Sequence, residues 1–133
     1  MNTMKKRIIA IIASLLVLCT SCFKDKDYKS TKFNLVNNCD QTIEVTSGAM
    51  LRTSFGWQER TLVDVVPSGQ TLWLRTVDVT EDFSMNSVFT RIEIRRDGQL
   101  STFDALNHDN WVKTLTSEEQ DEYTLYVDST FFR

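Results

Sequence analysis

The stretch Val88-Phe89-Thr90-Arg91-Ile92-Glu93-Ile94-Arg95-Arg96-Asp97-Gly98-Gln99 decides the fold. Ile92 and Ile94 alternate with Arg91, Glu93 and Arg95, so an extended chain puts the isoleucines on one face and the charges on the other. Asp97-Gly98 then supplies the two left-handed positions of a tight β-hairpin, and Leu100 to Phe103 returns. Only one of the two faces can point inward. Burying the isoleucines stabilises the fold, whereas an unpaired buried Arg or Glu opposes it.

The same period of two recurs on both sides, in Phe33–Val36, Thr42–Thr46, Thr61–Val66, Thr71–Val77 and Tyr123–Asp128. Asn37-Asn38-Cys39-Asp40 and Pro67-Ser68-Gly69-Gln70 are turn sequences between these runs. The pattern predicts an all-β domain over residues 33–133, a single antiparallel β-sandwich of about seven strands. A small β-barrel is the alternative. Any immunoglobulin-like character rests on strand count and spacing, because the Cys…Trp…Cys framework is absent. Thr116-Ser117-Glu118-Glu119 has capping-box spacing and predicts one helical turn before Tyr123.

The N-terminal segment has a different character. Lys5, Lys6 and Arg7 precede the apolar run Ile8–Leu18, and Cys19-Thr20-Ser21-Cys22 follows. A basic start, a short greasy stretch and a small-residue end make a secretory signal peptide, and the run falls short of the about 20 residues a bilayer span needs. The last residues resemble a bacterial lipobox, where a signal peptidase cuts before a cysteine bearing diacylglycerol. Ser21 supplies the small residue before Cys22, while Cys19 stands where the family has Leu. The resemblance implies a signal over residues 1–21 and lipidation at Cys22. It implies attachment to the outer membrane through that lipid, facing the periplasm or the cell surface.

Residues 22–32 are rich in Lys and Asp and read as a flexible tether. Within them Lys24-Asp25-Lys26-Asp27 resembles the charged stretch after the lipidated cysteine in surface-exposed lipoproteins of the Bacteroidota. Phe33-Asn34-Leu35-Val36-Asn37-Asn38 and Val66-Pro67-Ser68-Gly69-Gln70-Thr71 resemble small β-sandwich lipoproteins of the same group. That likeness implies an exported sandwich and transfers no functional residue.

Charge and cysteine count narrow the function. Loss of residues 1–21 removes Lys5, Lys6 and Arg7 and no acid, which moves the net charge from −3 to −6. Nucleic acid would select the opposite sign and is excluded as a partner. Once Cys19 leaves and Cys22 carries lipid, Cys39 has no partner for a disulfide and reads as a small hydrophobe.

Little in the chain speaks for chemistry. His108 is the single histidine, within Asp104-Ala105-Leu106-Asn107-His108-Asp109-Asn110-Trp111. Zinc needs three or four protein ligands, so this segment reads as a polar loop, and no metal or other cofactor is expected. The carboxylate pairs Glu81-Asp82, Glu118-Glu119 and Asp121-Glu122 are sequence neighbours, whereas glycosidase chemistry needs them facing across a cleft. With no Gly-x-Ser-x-Gly elbow either, the domain reads as non-catalytic. If Leu72/Leu74, Ile92/Ile94 and Leu125/Val127 face the core, then Trp73, Phe89 and Tyr126 point outward with Arg75 and Arg91. Those five residues form a candidate ligand face for a protein or glycan partner. The competing expectation is that a long connection, 79–87 or 104–121 with Trp111, folds over the rings and makes a second core.

The lipobox reading has a direct check. Cys22→Ala should leave the membrane fraction or retain its signal uncut. A mutant processed and membrane-bound like the wild type contradicts it.

Overall fold

Buried Asn37 joins the two halves of the molecule. The computed structural model describes residues 27–133; the signal segment 1–21 and Cys22 lie outside them. Asn37 ends strand β1 (Lys29–Asn37) and donates through Nδ2 to the carbonyls of Gln41 (2.8 Å) and Val66 (2.9 Å). Its Oδ1 accepts from the Cys39 amide (2.9 Å), which fixes the turn into β2 (Ile43–Thr53). Three hydrogen bonds thereby converge on one buried side chain, where a buried polar group left unpaired would cost about 1–3 kcal/mol.

Strands β3 (Gly56–Val66) and β4 (Thr71–Val79) follow, then a single helical turn α1 (Met85–Val88). Strands β5 (Arg91–Arg96), β6 (Gln99–Leu100), β7 (Val112–Thr116) and β8 (Gln120–Val127) complete the set. They form two four-stranded sheets, in the orders β4-β1-β8-β7 and β3-β2-β5-β6. The fold is an all-β sandwich. The strands number eight, and one pairing is parallel, because β1 lies beside β8 in the same direction. The period of two that marks a strand carries no information on the direction of its neighbour.

The deciding hairpin folds as its sequence requires. Ile94 is buried opposite Val45, Ile92 faces the same way opposite Ser47, and Asp97 and Gly98 take φ of 51° and 77°. Other segments depart from expectation. Thr116–Glu119 makes no helical turn; Ser117 and Gln120 exchange hydrogen bonds and close a β7–β8 hairpin. That hairpin lies in a stretch that reads as a connection, since the bulge at Lys113/Leu115 breaks its alternation. β1 begins at Lys29, inside the segment that reads as tether. Lys29 donates to Asp121 (2.8 Å), and this bond, with Lys113 at 3.4 Å, holds the Asp121 carboxyl below the usual carboxylate range.

Phe33, Leu35, Leu125 and Val127 of one sheet pack with Ile43, Val45, Val66 and Ile94 of the other. The second sheet narrows at Gly48, the last β2 residue paired with β5. There the chain crosses close over β2: Thr90 donates to the Gly48 carbonyl (2.8 Å), and a Cβ at position 48 would lie 2.5 Å from Thr90 Oγ1. Beyond this point the connections 80–90 and 101–111 replace the missing strand. Phe83, Phe89 and Trp111 meet the Phe33 ring edge-on with centroids at 5.7, 5.6 and 5.9 Å, and Tyr123 stacks at 5.9 Å. On the far side, the C-terminal turn Ser129–Phe132 closes against β6. Phe131 stacks on Phe103, and Gln99 donates to the Phe132 carbonyl (3.0 Å).

The weight carried by Phe33 is measurable. Phe33→Ala should cost about 3–5 kcal/mol in urea denaturation, whereas Arg91→Ala, at an exposed position, should stay within about 0.5 kcal/mol. Comparable losses at the two positions would mean that this packing is wrong.

Candidate functional site: an open seam between β3 and β4

A β-bulge sets the character of the site. Asn34 of β1 pairs with Trp73 of β4, but Phe33 pairs with Arg75, so Leu74 is an extra residue and the parity of β4 reverses across it. Trp73 therefore faces outward while Arg75, two residues on, turns toward the interior. The Arg75 guanidinium donates to the Val88 carbonyl, and burial pulls its pKa below the ordinary arginine value.

The five residues of the candidate ligand face are not brought together. Trp73 and Tyr126 do share the outer face of the β4-β1-β8-β7 sheet, 60% and 42% exposed. Arg75 points away from that face because of the bulge. Phe89 is 2% exposed and stacks on Trp111 (6.0 Å, 13° between planes), since Val88 closes α1 and β5 starts only at Arg91. Arg91 lies on the other sheet. Phe89 and Trp111 belong to the main core, and no connection covers Trp73 or Tyr126, so the expected second core over the three rings does not form.

The backbone of the loop around His108 is held by its own side chains, while the buried His108 Nδ1 has no hydrogen-bond partner among the described residues. Asp104 accepts from the Leu106 amide (3.0 Å), Asn107 from the Asp109 amide (3.0 Å), and Trp111 Nε1 donates to the Ala105 carbonyl (2.8 Å). The His108 ring packs against Phe83 and Tyr123, at 4.9 and 5.6 Å. Among the described residues no three His, Cys, Asp or Glu side chains converge as a metal site. Cys39 is a buried free thiol whose pKa is pushed up by burial, which keeps it protonated and unreactive.

One concave feature lies elsewhere. β3 and β4 are the outermost strands of their sheets on the same side of the sandwich, joined by the Pro67–Gln70 turn in which Gly69 takes φ 77°. The inner face of the β2–β3 hairpin, with Leu51, Leu62 and Asp64, stands across from Leu74 and Arg75, with Phe89 also lining the gap. The cleft between them has a volume of about 490 Å³. Arg60 and Arg75 outnumber Asp64 there, so the seam is locally cationic on an acidic protein. Sequence reading did not nominate Leu62 and Asp64. The available signal was Thr61-Leu62-Val63-Asp64-Val65, a strand with apolar residues on both faces and a carboxylate on the inner one.

The fold and site thus define an all-β sandwich with one closed side and one open seam. No family model, no curated protein and no solved structure matches the chain.

Phe89 and Trp73 separate core from surface. Phe89→Ala should lower stability by about 3–5 kcal/mol, and Trp73→Ala by no more than about 0.5 kcal/mol, in the same denaturation experiment. A small effect at Phe89 would mean that the ring is not packed under Trp111.

Proposed function

We propose that the chain is an exported, lipid-anchored, non-catalytic domain of the outer membrane that holds an extended segment of a partner polypeptide in the seam between β3 and β4. The seam is the single observation that carries the reading. Among the described residues each of these strands lacks an outer neighbour, so each presents unpaired N–H and C=O groups beside an apolar cleft. A guest strand pairs with such an edge and places alternate side chains into the gap. Leu62, Leu74 and Phe89 receive an apolar side chain, and Arg60 and Arg75 favour a neighbouring carboxylate. The lipobox ending at Cys22 supports the anchoring.

A second reading, glycan binding, is supported by Trp73 and Tyr126. They stand on one outer face, with the buried Asn34 between them holding Glu122 at 2.6 Å. Exposed rings beside polar groups suit a sugar face.

A photo-crosslinking amino acid at Leu62, within the seam, should give a discrete protein adduct in intact bacterial cells, and the same group at exposed Glu44 on the outer face should not. Adducts at neither position, or equally at both, would overturn the seam reading. Retention on a glycan that is lost in Trp73→Ala, with no adduct at position 62, would favour the second.

A further inference from the structure

We infer that the tip of the β2–β3 hairpin rests in the interface of the lipid bilayer that anchors the chain; this rests on the lipid-anchored reading above. Strand direction supplies the first argument. β1 rises from Lys29, opposite Val79, to Asn37, and β2 runs back from Ile43 to Thr53. The hairpin tip at Ser54-Phe55 therefore lies at the end of the sandwich where the tether joins. At about 3.3 Å per residue β2 is the longer strand, 11 residues against 9, so the hairpin reaches about two residues past the start of β1.

The length of the tether supplies the second argument. Six residues lie between Cys22 and Lys29, and the seven Cα-to-Cα steps across them reach about 25 Å at full extension. Lys29 is itself pinned to Asp121. A lipid on Cys22 thus keeps this end of the domain within about 25 Å of the bilayer.

The tip has the chemistry of an interfacial anchor. Phe55 occupies the turn, where small or polar residues are usual, and is 89% exposed. It is held there by Thr53, whose Oγ1 accepts from the Phe55 amide (3.2 Å) and donates to the Gly56 carbonyl (3.0 Å). Trp57, 63% exposed, sits directly opposite Arg52, and exposed Met50 opposite Glu59. Aromatic rings beside a cation are favoured at the headgroup level, where Arg52 also meets an anionic leaflet.

The test uses the mature chain in vesicles of phosphatidylethanolamine and phosphatidylglycerol (about 3:1) carrying brominated acyl chains. Tryptophan emission should be quenched, and Trp57→Phe should abolish that quenching while Trp73→Phe preserves it. The unlipidated Cys22→Ala chain should partition onto the same vesicles weakly, and Phe55→Ser should reduce that partition about tenfold. An acylated, vesicle-bound chain with Trp57 unquenched overturns the inference and leaves the anchoring intact. A mature chain without acyl mass, whose partition still depends on Phe55, overturns the anchoring and sustains the tip. Loss of a protein adduct in Phe55→Ser, with no quenching, would reassign the tip to a protein partner.

Discussion

Everything below Gly48 depends on the packing of Phe33. At that glycine the second sheet loses β5, and the inner surface of β1, β4 and β8 would otherwise stand open to water. Phe33 gathers Phe83 and Phe89 from one connection, Trp111 from another and Tyr123 from β8. Edge-on and stacked aromatic pairs contribute about 0.5–1.5 kcal/mol each beyond their buried area. With no disulfide among the described residues, such rings have to do what a complete second sheet would do.

This substitution frees the β2–β3 hairpin. Strands that need not cover the core can extend past it, and β3 is exposed along almost its whole length. The two sides of the sandwich then differ. On the β6 side the C-terminal turn fills the gap, with Phe132 also taking Arg96 over its ring at 4.6 Å. On the β3–β4 side nothing among the described residues does so, and the cleft remains.

The parts legible in the sequence are those where local rules and burial agree. Ile92 and Ile94 alternate because one face of β5 is dry and the other wet, and Asp97-Gly98 makes its turn by backbone preference alone. The parts that were not legible share one cause, an interruption of the period. Leu74 in β4 shifts every later residue to the other face, which is why Arg75 was expected beside Trp73 and lies inside. Thr114 is skipped in the β7 pairing and hides that strand. Residues 49–60 show no alternation because neither face of the free hairpin is buried in the core. Of the seam residues, Leu51 and Arg60 lie in that region, while Leu62 and Asp64 lie in the alternating run Thr61–Val66, whose two apolar faces do not say which one lines a cleft.

The seam and the hairpin tip are consequences of one geometry and place different demands on it. The tip lies at the end where β1 begins, while the seam runs along the side of the sandwich between β3, which leads away from that end, and β4, which returns to it. The seam opens laterally, with Asn37 and the Pro67–Gln70 turn at the end opposite the hairpin tip. Gly69 donates to the Asn37 carbonyl there (2.8 Å), and Asn37 donates in return to that of Gln70 (3.0 Å). This lock fixes β3 to β4 at one end only. Along the rest of their length no hydrogen bond joins the two strands among the described residues, which leaves the cleft between them open.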